Sequence, residues 1–227
     1  MLNRMIGIGA VALTACGCLS ERHPDSRDWE DVFDKSLSNA ECPAGSWTYD
    51  SDGWLVPVTG DTILSKRDYR NFVLDTAYVM GPTANSGIFL YDTEHPRQKF
   101  EVQILDDWNP CYSNEAPYQL TGSLYGRVAA HPVSSLPPGQ LNRMTVWCEG
   151  PHVRVIVNGR KVVDANLNDW QAPDVNPDGT AYPQWHKGFP PLGRIPHHGR
   201  IGLQGLHGSD DAVRFKYLKV RELSPGL

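Results

Sequence analysis

The sequence predicts an all-β protein, a two-sheet antiparallel sandwich of jelly-roll type with long loops. Roughly a dozen short segments are apolar or alternate between apolar and polar residues, and turn residues separate them. The chain holds 21 glycines and 18 prolines among its 227 residues, as expected for many strands joined by structured turns. No window sustains an apolar period of 3.6 residues, so we expect little helix and one packed domain.

The first residues predict export. Arg4 precedes a short apolar run over residues 5–13, which is too short to span a membrane. The run ends in Leu13-Thr14-Ala15-Cys16, which resembles a bacterial lipobox, in which the cysteine is acylated. We therefore expect a lipoprotein signal peptide over residues 1–15, with an ordinary signal peptide as the alternative. The protein would be an exported bacterial lipoprotein, periplasmic or attached to the outer membrane through lipid on Cys16.

The remainder of the chain divides into a tether and a domain. Residues 16–28 are polar and unpatterned, which indicates a linker, and residues 29–227 form the expected single domain. The formal net charge is −5 and no basic stripe is present, which argues against nucleic acid as a partner. Because export permits disulfides, we expect at least one bridge among Cys42, Cys111 and Cys148.

The expected strands follow in chain order. Asp50 and Gly53 mark a hairpin loop, and Asn158-Gly159 is the strongest hairpin signal. A loop over residues 165–199 is long enough to suggest a function, which its aromatic residues Trp170, Tyr182 and Trp185 favour. The first half holds strands at residues 47–49, 54–58, 61–65, 72–80, 87–91 and from 100 onward. The second half starts at residues 123–126 and holds strands at 143–149, 152–157, 160–164, 201–204 and 213–220.

The strand that begins at Phe100 carries the main functional signal. Glu101 and Gln103 lie on one face of it, and Val102 and Ile104 lie on the other, because successive side chains of a strand alternate. An acid and an amide in mid-strand are costly to bury without a partner. They form either the solvated face of a half-buried sheet or the floor of a sugar-sized cleft, with Trp108 as a stacking platform.

Six motifs, in order, resemble the bacterial 3-keto-disaccharide hydrolase domain, which has a concanavalin A-like jelly roll. The resemblance runs from about residue 29 to residue 223, and at Tyr91 the chain departs from it, since the family usually has arginine there. The motifs are Tyr69-Arg70-Asn71-Phe72, Asn85-Ser86-Gly87-Ile88-Phe89-Leu90, Glu101-Val102-Gln103-Ile104-Leu105-Asp106, Thr121-Gly122-Ser123-Leu124-Tyr125, Val157-Asn158-Gly159, and Gly199-Arg200-Ile201-Gly202-Leu203-Gln204 with His207-Gly208.

The resemblance implies a hydrolase or lyase that acts on glycosides already oxidised at C3, supplied by a separate sugar 3-dehydrogenase. The C3 ketone acidifies the C2 hydrogen, so a general base can remove it and the C1 aglycone can leave by β-elimination. Addition of water would give net hydrolysis. No cofactor is implied, and the residues do not support a divalent metal, because the adjacent His197 and His198 would rarely share one ion with His207.

The candidate catalytic residues are Glu101, His207 and Asp106. We expect Glu101 to be the base and His207 to be an acid or base near neutral pH. Laminarinase-type glycosidases use a Glu-x-Asp-x-x-Glu strand, and here that spacing recurs at Glu101, Gln103 and Asp106, which a β-bulge at Leu105 would bring to one face. The candidate substrate-binding residues are Asn85, Ser86, Tyr91, Gln103, Trp108, Tyr125, Arg127 and Gln204.

Two other functions remain open from the sequence. A non-catalytic carbohydrate-binding lipoprotein would share the fold and the aromatic loop, whereas acids on a cleft floor favour an enzyme. A conventional laminarinase-type glycosidase would need a full set of acids, and the amide of Gln103 counts against it.

Overall fold

The computed structural model describes residues 22–93, 99–208 and 212–224. The predicted signal peptide, Cys16 and Cys18 lie outside these ranges, so the lipoprotein prediction stays a prediction. The described residues form thirteen strands and five single-turn 3₁₀ helices, and they contain no α-helix. None of their helices has the length and apolar character needed to cross a membrane.

The strands match the predicted segments closely, and two short strands precede them. They are β1 (Glu30–Asp31), β2 (Ala40–Glu41), β3 (Trp47–Tyr49), β4 (Leu55–Pro57), β5 (Ile63–Tyr69), β6 (Phe72–Met80), β7 (Asn85–Asp92), β8 (Phe100–Leu105), β9 (Leu141–Glu149), β10 (His152–Val157), β11 (Arg160–Asn166), β12 (Gly199–Leu203) and β13 (Val213–Glu222).

The strands form two antiparallel sheets, which confirms the predicted sandwich. The large sheet has eight strands in the order β11-β10-β9-β6-β13-β4-β3, with β1 also paired to β13. The small sheet has five strands in the order β2-β5-β12-β7-β8. Strand β8 is therefore an edge strand of the small sheet, which leaves one of its sides open to the loop that follows it.

The predicted hairpin at Asn158-Gly159 is confirmed. Both residues have positive φ, 49° and 78°, as a two-residue turn matched to the strand twist requires. The turn joins β10 to β11 with Val157 opposite Arg160. The predicted strand start at residues 123–126 differs, because Leu124 forms one isolated bridge with Val102 of β8 and one with Val128, and the segment forms no strand of its own.

The core lies between the two sheets and is built by alternation. In β8, Val102 and Ile104 are fully buried in it, as the pattern predicts. Aromatic side chains pack edge to face near the end of β7, where the Tyr91 ring lies 6.1 Å from that of Phe72 and 5.5 Å from that of Phe100. The polar residues of β8 therefore face away from the core.

Residues 22–28 differ from the predicted tether, because they pack on the outer face of the large sheet. Asp75 of β6 is fully buried there and accepts hydrogen bonds from Ser26, Thr145 and Arg143. The same Arg143 also donates to the carbonyl of Pro24. A buried carboxylate satisfied in this way links the N-terminal segment to the folded domain.

The predicted disulfide is wrong for the described cysteines, since Cys42, Cys111 and Cys148 are all free. The topology gives the reason. Cys42 follows β2 at one edge of the small sheet, and Cys111 is exposed beyond β8 at the opposite edge. Cys148 is buried within β9 of the large sheet, where burial raises the pKa of its thiol to about 12.

Candidate active site

The floor of the site is the outer face of the small sheet. Glu101 lies opposite Phe89, and Gln103 lies opposite Gly87, in a β7–β8 ladder without a register shift. Gln204 follows β12 and donates its backbone N–H to the carbonyl of Gly87. Alternation thus places the carboxyl group of Glu101 and the amides of Gln103 and Gln204 next to one another on the outer face of the small sheet.

Gly87 allows the Glu101 carboxyl group to lie across β7. A Cβ atom at position 87 would fall 1.9 Å from Oε1 of Glu101, which no real contact permits. The glycine therefore gives the carboxyl group its place on the floor, between the two amides. The motif Asn85-Ser86-Gly87 thus has a steric role that pattern analysis did not assign.

One wall of the site comes from the loop after β8. This loop returns along the open edge of β8, where Tyr125 donates its backbone N–H to the carbonyl of Glu101 at 2.9 Å. The side chain of Gln119 forms a hydrogen bond with the Tyr125 hydroxyl. Glu115 belongs to the same loop and brings a second carboxyl group to the cavity.

The opposite wall comes from the long loop after β11. His186 packs edge to face on Tyr125, with ring centroids 5.6 Å apart, and lies 5.0 Å from the ring of Phe189. The guanidinium of Arg127 lies 3.4 Å from the ring centroid of Tyr182. The predicted functional role of this loop is therefore consistent with its position, although Trp170 and Tyr182 are themselves buried.

These elements enclose a cavity of about 540 Å³, which is large enough for a sugar with a substituent. Glu101 and Gln204 line its floor, and Lys99 lies at its side with Nζ 2.9 Å from Asp92. A smaller adjoining cavity of about 30 Å³ contains Asn85 and Gln103, and Tyr125 lines both cavities.

Burial dominates the electrostatics of the cavity. It raises the pKa of Glu101 to about 8, and the charge of Lys99 opposes that rise. Burial, together with the charge of Arg127, lowers the pKa of His186 to about 4. Glu101 therefore titrates near neutral pH, which suits a group that gives and takes protons, and His186 stays neutral.

Several buried polar atoms of the site have no hydrogen-bond partner among the described residues. They include the side-chain carbonyl oxygens of Gln103 and Gln204, Nη1 of Arg127 and Nδ1 of His186. Buried polar groups are nearly always paired, and leaving one unpaired typically costs about 1–3 kcal/mol. Four such atoms lie around the two adjoining cavities, where a polar ligand or water would complete their hydrogen bonds.

The structure brings together most of the predicted site residues. Glu101, Tyr125, Arg127, Gln204 and His207 line the large cavity, and His207 is exposed at its mouth. Gln103 and Asn85 lie in the adjoining small cavity, where the amide of Gln103 donates to Oδ1 of Asn85 at 3.4 Å.

Asp106 does not join Glu101, and the predicted β-bulge at Leu105 is wrong. The ladder between β7 and β8 stays in register as far as Leu105, so Asp106 lies beyond the end of the strand. Its carboxyl oxygens accept backbone N–H bonds from Thr83 and Trp108, and the residue is 1% exposed. This carboxylate stabilises the loop ends next to the strand.

Three other predicted substrate-binding residues lie outside the cavity lining. Tyr91 is fully buried in the core, where its hydroxyl donates to the carbonyl of Gly150 at 3.2 Å. Ser86 points to the core side of β7 and donates to the carbonyl of Gln204. Trp108 is 60% exposed, and its indole N–H donates to the carbonyl of Ser135.

Besides Phe100 and Phe189, sequence reasoning missed five residues that line the cavity: Phe89, Lys99, Glu115, Gln119 and His186. Phe89 and Lys99 could have been found by alternation. Phe89 is two residues after Gly87, and Lys99 is two residues before Glu101, so each is expected on the same face as that neighbour. No pattern marks the other three, because loops bring them to the site. Among the residues described, no group of three or more His, Cys, Asp or Glu is placed to hold a metal ion.

The fold and the site define a jelly-roll protein of a carbohydrate-active class. The chain belongs to the 3-keto-alpha-glucoside-1,2-lyase-like domain family, whose model matches residues 28–221. This confirms the family resemblance found in the sequence. No curated protein matches the sequence significantly.

Solved structures share the fold, and one of them is also similar in sequence. A protein from Parabacteroides distasonis ATCC 8503, named "Putative glycosyl hydrolase", is 36% identical with a TM-score of 0.80, over 86% of this chain and 99% of that one. The carbohydrate-binding module CBM66 from Bacillus subtilis shares the fold at 12% identity and a TM-score of 0.52, over 84% of this chain and 99% of that one. A lectin from Bauhinia forficata also shares the fold, at 13% identity and a TM-score of 0.52, over 86% of this chain and 97% of that one.

Proposed function

We propose that this protein cleaves glycosides whose sugar is already oxidised to a ketone at C3. The observation that carries the proposal is the position of Glu101, on the floor of a sugar-sized cavity with its pKa raised to about 8 by burial. A carboxyl group with such a pKa is suited to remove a carbon-bound proton made acidic by a neighbouring ketone.

The first step is removal of the C2 proton by the Glu101 carboxylate. The electrons of the C2–H bond form the enolate, whose negative charge lies mainly on the C3 oxygen. The Tyr125 hydroxyl and the charged Lys99 line the cavity, and both are suitable groups to stabilise that oxygen. The unpaired carbonyl oxygens of Gln103 and Gln204 would accept hydrogen bonds from sugar hydroxyls.

The second step is departure of the group at C1. The enolate electrons form the C1–C2 double bond as the bond from C1 to the leaving oxygen breaks. His207, exposed at the cavity mouth, is the candidate to donate a proton to that oxygen. Addition of water across the new double bond would convert this lyase product into the product of hydrolysis.

The test is to incubate the soluble domain with a 3-keto-glucoside and, separately, with its unoxidised parent, and to identify the products by mass. Cleavage of the keto sugar alone supports the proposal. Cleavage of the parent would instead indicate a conventional glycosidase. Binding of either sugar without turnover would indicate a carbohydrate-binding protein.

A further inference from the structure

Arg127 is a buried charge without a counter-ion. The residue is 6% exposed, it forms no ion pair with the described residues, and its Nη1 atom has no hydrogen-bond partner. An unpaired buried charge is costly, and proteins seldom keep one without a compensating group. The cavity that Arg127 lines is open to a ligand that could provide this group.

The surroundings of Arg127 hold the guanidinium in place without neutralising it. One face lies 3.4 Å from the ring centroid of Tyr182, a stacking contact that leaves the edge of the guanidinium free. The carboxylate of Asp174 acts on Arg127 only from beyond ion-pair distance. Its Oδ1 instead accepts the backbone N–H of Gly188 at 2.9 Å.

His186 lines the same cavity as Arg127, and its Nδ1 atom lies against Gly126, the residue before Arg127. Its ring lies so close to the chain that a Cβ at Gly126 would fall 2.5 Å from Nδ1. That Nδ1 atom is buried and has no hydrogen-bond partner among the residues that the structure describes. A neutral imidazole that carries its proton on Nδ1 is a hydrogen-bond donor at this point.

We propose that Arg127 and His186 form a subsite for a carboxylate that the leaving group of the substrate carries. The description of the ligand as a leaving group rests on the proposed function, whereas the anion subsite itself rests only on this geometry. A carboxylate has two oxygens in one plane, so one can accept from Nη1 of Arg127 while the other accepts from Nδ1 of His186.

The rest of the wall fits an acid with a flat or ring-shaped body. Tyr125 and Phe189 both pack against the ring of His186 and line the same cavity. Both an aromatic acid and a sugar acid combine a ring with a carboxylate. Both acids therefore carry a carboxylate on a ring. The first test below distinguishes them by using one pair of compounds for each kind of acid.

The first test measures binding alone, by calorimetry at pH 7. 4-Hydroxybenzoate is compared with 4-hydroxybenzamide, and D-glucuronate with D-glucose. We expect the carboxylate of at least one pair to bind roughly 10- to 100-fold more tightly than its neutral partner, the usual worth of a charge-assisted hydrogen bond. The pair with the larger preference identifies the source. Equal affinities within both pairs would overturn the proposal without any variant.

The second test uses Arg127→Gln, with Arg160→Gln as the matched control. Arg160 is exposed on β11, so its removal changes the net charge equally without touching the cavity. The preference for the carboxylate should disappear in Arg127→Gln and persist in Arg160→Gln. Loss of the preference in both variants, or in neither, would contradict the subsite.

A third measurement separates the subsite from the proposed reaction. The 3-keto-glucosides of 4-hydroxybenzoate and 4-hydroxybenzamide are compared as substrates of the unmodified protein. A KM at least about tenfold lower for the acid supports the leaving-group assignment. Equal KM values would overturn that assignment. If neither compound is cleaved, the proposed function fails, whereas the binding tests still decide the anion subsite.

Discussion

At the residue scale, the most specific feature is the contact between Gly87 and Glu101. Gly87→Ala would put a methyl group where the Glu101 carboxyl group now lies. The backbone of Gly87 does not have positive φ, so alanine fits its conformation and the protein should still fold. We expect turnover to fall by roughly 10²-fold, the effect of a displacement of about 1 Å in a catalytic group. Steady-state kinetics on a 3-keto-glucoside measures this.

The matched control for that variant is Gly202→Ala. Gly202 lies on the same face of the neighbouring strand β12, and a Cβ there would meet the side chain of Leu64 rather than Glu101. This variant should lower the thermal midpoint more than it lowers turnover. If both variants lose the same share of turnover, Gly87 does not act through Glu101.

The raised pKa of Glu101 also predicts a pH-dependent cost in stability. The folded protein keeps the Glu101 proton up to about pH 8, whereas the unfolded chain releases it near the ordinary glutamate pKa of 4.5. Between these values the unfolded state binds fewer protons, so this group makes folding less favourable as the pH rises. Glu101→Gln should therefore gain stability relative to the unmodified protein between pH 5 and pH 8.5.

Denaturant unfolding at the two pH values measures this gain. The control is Glu149→Gln, since Glu149 is exposed at the end of β9. A gap between Glu101→Gln and the unmodified protein that stays constant with pH would show that folding does not raise the pKa of Glu101.

At the element scale, the N-terminal segment is part of the folded domain. Asp75 is fully buried and accepts hydrogen bonds from Ser26 as well as from Arg143 and Thr145. A chain that begins at residue 29 leaves this carboxylate without one donor and exposes part of the sheet. We expect it to be less stable than a chain that begins at residue 22 by about 1–3 kcal/mol, measured by denaturant unfolding.

Asp25→Asn provides the control for the segment. Among the residues that the structure describes, Asp25 pairs with Arg27 alone, on the surface, where an ion pair contributes little. This variant should unfold at the same denaturant concentration as the chain that begins at residue 22. Equal stability of the two chain lengths would show that residues 22–28 do not contribute to the fold.

The strands themselves could be predicted because each carries its own local signal. Val153, Val155 and Val157 lie on the core side of β10, with the polar Arg154 between the first two, and Asn158-Gly159 fixes the turn that follows. The segment at residues 22–28 carries no such signal. Its polar residues are typical of a linker, and their structural role comes from residues distant in sequence, the buried Asp75 and Arg143 among them.

At the scale of the whole molecule, the sequence predicts the floor of the site better than its walls. Glu101 and Gln204 follow from alternation within two strands. Glu115 and His186 come from loops whose course is set by tertiary packing, so no periodicity marks them. Asp106 was misplaced for a related reason, because a strand pattern does not reveal where the strand ends and backbone capping begins.

The cysteine prediction failed at the same scale. Export makes a disulfide permissible, but it does not bring two thiols together. Pairing depends on which sheet edges are neighbours, and the topology separates the strands that lead to Cys42 and Cys111.

The predicted attachment to a membrane concerns the whole molecule and lies outside the described residues. Cys16→Ser should release the protein from the membrane fraction of the host cell, because the lipid acceptor is lost. Fractionation followed by mass measurement of the N-terminal peptide tests this. A variant that remains in the membrane fraction and still carries lipid would refute the lipoprotein prediction.

The central claim is that Glu101 removes the C2 proton, and Glu101→Gln tests it most directly. The substitution keeps the shape of the side chain and removes the base. We expect turnover of a 3-keto-glucoside to fall by roughly 10²–10⁴, the usual contribution of general base catalysis, whereas substrate binding should change little. The rise in kcat/KM through about pH 8, set by the titration of Glu101, should also disappear. Full turnover in Glu101→Gln, with the same pH profile, would contradict the account.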